Sequence, residues 1–91
     1  MHGSIKDVKI LEFETELYVA HKQGYIFRYV HTTELDTLSS KEKILGVEIL
    51  FSDVVTPKQV SKIQTYILKN YGFEVDDTLC DDVNILIVRY L

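Results

Sequence analysis

The stretch Thr56 to Gly72, TPKQVSKIQTYILKNYG, limits what this chain can fold into more than any other. Thr56 has the place of an N-cap, Pro57 of the first helical residue and Gln59 of the third. A hydroxyl and an amide there can satisfy two orphan backbone donors reciprocally. At about 100° per residue, Val60, Ile63, Ile67 and Tyr71 form one stripe while Lys58, Lys62 and Lys69 gather opposite. Gly72 supplies the left-handed residue that ends such a helix. An amphipathic helix of this kind needs an apolar surface to lie on.

The flanking runs GVEILF and VNILIVRYL are rich in β-branched, aliphatic and aromatic residues, so that surface is predicted to be a sheet. Val47 to Phe51 reads as one strand and Asn84 to Leu91 as the last. In the latter, Ile85 and Ile87 fall on one face and Leu86 and Val88 on the other, the pattern of a strand inside a sheet with both faces partly covered.

Upstream, the odd positions Leu11, Phe13, Thr15, Leu17 and Val19 alternate with Glu12, Glu14 and Glu16. Period two predicts a half-buried strand from Lys9 to His21. Lys22-Gln23-Gly24 then has the form of a three-residue hairpin loop, with Gly24 left-handed. Tyr25 to His31 follows as the returning strand, placing Val19 opposite Phe27, Leu17 opposite Tyr29 and Tyr18 against Arg28. A capping-box pattern, Ser39-x-x-Glu42, with Gly46 as terminator, predicts a short helix from Ser40 to Leu45. After Gly72, Phe73 to Val75 extends briefly into an acidic loop.

The expected fold is therefore an α+β two-layer sandwich. Its four-stranded sheet is mixed, the chain order is β, β, short α, β, long α, β, and the helices lie on one face. A strand-helix-strand crossover from Val47 to Tyr90 would be right-handed. The 91 residues form one domain. Residues 1–4, MHGS, are expected to lie outside it, as a disordered start or the remnant of an expression tag. A hydrophobic fraction of 46% and a charged fraction of 26% exclude disorder and low complexity. No run has membrane-spanning length, and the N-terminus is too short and polar for a signal peptide. With one cysteine, Cys80, no internal disulfide forms, and the protein is read as cytoplasmic.

The net charge is −4, so a phosphate backbone is not the default partner. The acids are uneven: Glu74, Asp76, Asp77, Asp81 and Asp82 follow one another without an intervening Lys or Arg. Carboxylates so close can hold a divalent cation, but the ligand order and glycine of a calcium loop are missing. The plainer reading is a solvated loop; a third is a negative surface offered to a basic protein. Among those carboxylates Cys80 gains nothing that favours its thiolate. His31, Glu34 and Asp36 would make an acid-base or metal cluster only if a helix began at Thr32. The lysines of the capped helix are an ordinary solvated face first and an electrostatic contact second. Six tyrosines suit a contact surface, and Tyr18 with Arg28 would be its anchor pair.

No phosphate loop, CxxC, HExxH, GxSxG or RNA-binding signature occurs. The function expected from these residues is a non-catalytic, small acidic protein-binding module, an inhibitor, immunity-type or accessory protein without cofactor or metal. Its partner is another protein, itself basic or nucleic-acid-binding, met through Tyr18, Arg28, Glu74, Asp76, Asp77, Asp81 and Asp82. An unpaired sheet edge would also join two copies. The alternatives are a metabolite-binding regulatory domain acting as a homodimer and a metal-dependent hydrolase built on Asp76, Asp77, Asp81 or His31.

Overall fold

The computed structural model describes residues 5–51, 55–80 and 83–90. Its elements are α1 (Ile5–Lys22), β1 (Ile26–Asp36), β2 (Lys41–Phe51), α2 (Pro57–Tyr71), β3 (Glu74–Cys80) and β4 (Val83–Arg89). The strands make one four-stranded sheet in the order β1-β2-β4-β3, antiparallel at every pairing. Both helices share one core with it, so the α+β two-layer class is as expected. The sheet is not mixed, however. β2 and β3 run in the same direction but are separated by β4, and no parallel pair adjoins.

Helix α2 forms as its caps dictate. The Thr56 side chain accepts from the Gln59 backbone at 3.2 Å while the Gln59 side chain accepts from the Thr56 backbone at 2.8 Å. Gly72 closes the helix at φ 74°, its N–H donating to the Leu68 carbonyl. Val60, Ile67 and Tyr71 are buried, and Ile63 packs against the core.

The segment expected as the first strand is instead helix α1, and the hairpin expected at residues 22–24 is that helix's end. Phe13 and Leu17 enter the core, with Ile10 and Ala20 beside them. This is the i, i+3, i+7, i+10 spacing of one helix face. Leu11 and Val19 lie outside it, exposed. Apolar residues on two helix faces imitated the alternation of a strand. Gly24 is left-handed as predicted, at φ 87°, but it follows α1, where the Tyr25 N–H reaches the Ala20 carbonyl at 3.2 Å. The pairings Val19–Phe27, Leu17–Tyr29 and Tyr18–Arg28 therefore do not exist. β1 pairs with β2, placing Tyr29 opposite Ile49 and Arg28 opposite Leu50.

The short helix expected over residues 40–45 is also replaced, by the first half of β2. Ser39 belongs to the turn between β1 and β2, where Asp36 accepts from the Leu38 N–H at 2.9 Å and the Ser39 hydroxyl at 3.0 Å. The acidic segment is not a loop through residue 80, because it pairs along its length with β4 as an edge strand. β4 lies inside the sheet between β2 and β3, as its pattern required.

Alternation sorts the strands into two faces. Val47, Ile49 and Phe51 on β2, with Leu86 and Val88 on β4, are buried beneath the helices. Phe13, Tyr71, Phe73 and Tyr90 close one end of the core, with ring centroids from 4.9 to 6.2 Å apart. The Lys9 ammonium donates to the Asn70 carbonyl at 3.0 Å, joining α1 to the negative end of α2. The tip of the β1–β2 hairpin extends past this core, and residues 31–45 are all exposed.

Candidate interaction surfaces

Helix α1 offers one candidate surface because its sequence is apolar on two sides. Opposite Phe13 and Leu17, the residues Val8, Leu11, Thr15 and Tyr18 follow the alternating 3-4 spacing of a helix-packing seam, with Val19 beside it. Leu11 is 69% exposed and Tyr18 53%. The Thr15 hydroxyl donates back to the Leu11 carbonyl at 2.8 Å. Lys22 stands over the Tyr18 ring, 5.5 Å from its centroid. The glutamates of α1 differ in their surroundings. Glu14 meets the His31 Nε2 at 2.5 Å, and Glu16 accepts from the Tyr66 hydroxyl at 3.0 Å. That hydrogen bond to Glu16 raises the Tyr66 pKa above its ordinary value. Glu12 is exposed beside the seam.

The face of the sheet turned away from the helices is the second surface. By register it carries Arg28 and Val30 from β1, Glu48 and Leu50 from β2, Ile85 and Ile87 from β4, and Glu74 and Asp76 from β3. A sheet face left to water alternates to polar residues. Here its centre is apolar at Leu50, Ile85 and Ile87, which are half-buried only by their neighbours. The charges sit mainly toward the edges. Arg89 donates to Asp76, whereas Arg28 makes no ion pair with any described residue.

The structure thus disperses the residues expected to act together. Arg28, Glu74 and Asp76 share the uncovered sheet face. Asp77, one residue on, points to the helix side of edge strand β3 and is exposed. Tyr18 is on α1, on the far side of the molecule from that face. Asp81 and Asp82 lie outside the described residues, as do His2 and the rest of MHGS. His31 and Glu34 fall on a strand, and among the described residues no three His, Cys, Asp or Glu side chains gather as metal ligands. Sequence reasoning missed the α1 seam, whose signal was the 8-11-15-18 spacing. It also left unused the apolar outer face of VNILIVR.

Two hollows bear on small-ligand binding. One, between α1, α2 and the sheet, is lined by Phe13, Leu17, Ile49, Ile63 and Tyr66 among others, with a cavity volume of about 230 Å³. That is below the roughly 300 to 1,000 Å³ of most ligand pockets. The other, about 740 Å³, is an open cleft beside Gly46, where Lys6, Lys43 and Arg89 are countered by Asp7 and Glu48. Its lining carries no dominant charge.

No helix among the described residues is long and apolar enough to cross a membrane. Searches among protein families, curated proteins and solved structures found no match to this chain, so any functional reading rests on its own residues.

Proposed function

We propose that this chain is a non-catalytic protein-binding module, an inhibitor or accessory protein that acts by direct contact. The observation that carries this reading is the second apolar face of α1. Leu11 and Tyr18 remain exposed although the same helix already buries Phe13 and Leu17. Apolar residues at helical spacing on a rigid, docked helix suit the helix-in-groove mode of recognition. Tyr18 would be the amphipathic anchor, and Leu11 the aliphatic one. The net charge of −4, with Glu12 beside the seam, favours a partner whose groove has a basic rim.

The test is affinity capture from the source cells with the wild-type chain and with Leu11→Glu and Tyr18→Ser. A single basic protein retained by wild type and lost by both variants, with unchanged circular dichroism, is the expected result. Equal retention by all three chains, or none by any, would remove the helix face from the account.

A further inference from the structure

We infer that β1 pairs antiparallel with β1 of a second copy of this chain, about a two-fold axis that passes through the sheet at His31. β1 and β3 are the edge strands, and an edge presents backbone N–H and C=O groups that a further strand can use. The two edges are guarded differently. β3 carries Glu74, Asp76 and Asp77, so a second β3 would meet like charges. β1 runs for eleven residues with neither proline nor lysine. Its bulge lies at one end, between Ile26 and Arg28, and the register shift at Thr32 leaves Leu45 of β2 unpaired without breaking β1.

The register identifies the occupant. Along the unbroken part of β1, Arg28, Val30, Thr32 and Glu34 share the outer face. Neither Arg28 nor Glu34 is in an ion pair with a described residue. A two-fold axis at His31, the middle residue of the strand, sets Arg28 opposite Glu34 of the other copy, twice by symmetry. It also sets Val30 opposite Thr32, and brings exposed Phe27 beside exposed Leu35 at each end. Neighbouring registers lose this match. An axis at Val30 leaves Arg28 against Thr32. An axis at Thr32 offers it Asp36, which already accepts from the Leu38 N–H and the Ser39 hydroxyl.

The same register supplies what the hairpin lacks. β4 pairs with β2 from Gly46 to Leu50, so residues 33–36 and 41–44 form a two-stranded ribbon beyond it, exposed throughout. Two strands alone are marginally stable in water, and a third stabilises them. In the dimer the start of β1 from each copy lies along the ribbon of the other. Helix α1 leaves room for this. Its middle stands inside the β1 edge, where Phe13 meets the rings of Phe73 and Tyr90. Only toward its end does it reach over β1, as His21 meets Tyr29, and there the strand across the axis is the uncovered ribbon.

Sedimentation equilibrium on the full chain tests this. Wild type should dimerise, and Arg28→Glu and Glu34→Arg should each weaken the dimer by roughly 30-fold, since each substitution sets like charges opposite one another twice. Circular dichroism should show both variants folded. An equimolar mixture of the two should regain the wild-type association, because the heterodimer restores both ion pairs; a merely structural role for either residue does not predict this. A wild-type chain that stays monomeric up to roughly 1 mM would overturn the proposal. So would a mixture that associates no better than its components. A dimer dissociated by Leu11→Glu yet indifferent to both charge reversals would be joined through α1 and would overturn it too. Partner capture by the α1 seam is read in a separate experiment and can succeed or fail whatever the state of β1.

Discussion

A β-carbon on Gly46 would stand 1.9 Å from the carbonyl oxygen of Val88 on the neighbouring strand. The obstacle is backbone, not a movable side chain, at a place where β1 and β2 slip register between Thr32 and Thr33. Gly46→Ala therefore has to force β2 from β4. The expected cost is about 2 kcal/mol or more, read as a lower urea midpoint with unchanged slope.

The two faces of α1 should respond differently to the same truncation. Leu17, 4% exposed, contacts the core, and Leu17→Ala should cost about 2 to 5 kcal/mol. Leu11, 69% exposed, should change stability by no more than about 0.5 kcal/mol when made Ala. Paired denaturation curves check the contrast, and a large loss at Leu11 would mean that its face is already covered.

The Tyr90 ring is buried, yet its hydroxyl makes no hydrogen bond to a described residue. Burial, then the nearby Glu14 charge, pushes its pKa upward, so the hydroxyl stays protonated across the working range. An unsatisfied buried donor costs about 1 to 3 kcal/mol. Tyr90→Phe should thus leave stability unchanged or raise it by about 1 kcal/mol, measured as an upward shift in Tm.

Removing the α2 cap tests the element from which the fold was read. Thr56→Ala loses the acceptor for the Gln59 N–H and the reciprocal arrangement around it. A loss of about 1 kcal/mol is expected. Hydrogen exchange should accelerate first at Lys58 to Val60.

The turn at the hairpin tip is tied to a carboxylate. The Leu38 N–H, then the Ser39 hydroxyl, donates to Asp36 and holds its pKa below the ordinary carboxylate value. A lowered folded pKa means that the turn's stabilisation is present above the unfolded value and disappears as the pH falls through the folded one. The Leu38 amide resonance should titrate with a midpoint below the ordinary value of 3.8. Asp36→Ala should abolish that titration.

Parts of this architecture were legible because a local signal and the tertiary role agreed. Thr56, Gln59, Gly72 and the Val60-Ile63-Ile67-Tyr71 stripe specify α2 from within a few residues, and all of them do in the structure what the spacing implied. The Ile85–Val88 run announced an interior strand in the same way. At α1 two local readings were nearly degenerate, since Leu11, Phe13, Leu17 and Val19 satisfy a period of two and also sit on two helix faces. Gly46 looked like a helix terminator because a sequence does not show which backbone will come alongside.

By itself, then, the chain determined a capped amphipathic helix, an apolar interior strand and an α+β class. Tertiary structure alone decided that α1 is a helix, that Ser40 lies in a hairpin turn with Lys41 opening β2, and that Arg28 and Glu74 share a face. Intrinsic preferences differ by less than about 1 kcal/mol per residue, whereas burying one large apolar side chain contributes about 1.5 to 3 kcal/mol. Phe13 and Leu17 reach the core from a helix laid against β1 and α2, and there burial outweighed the strand-like alternation.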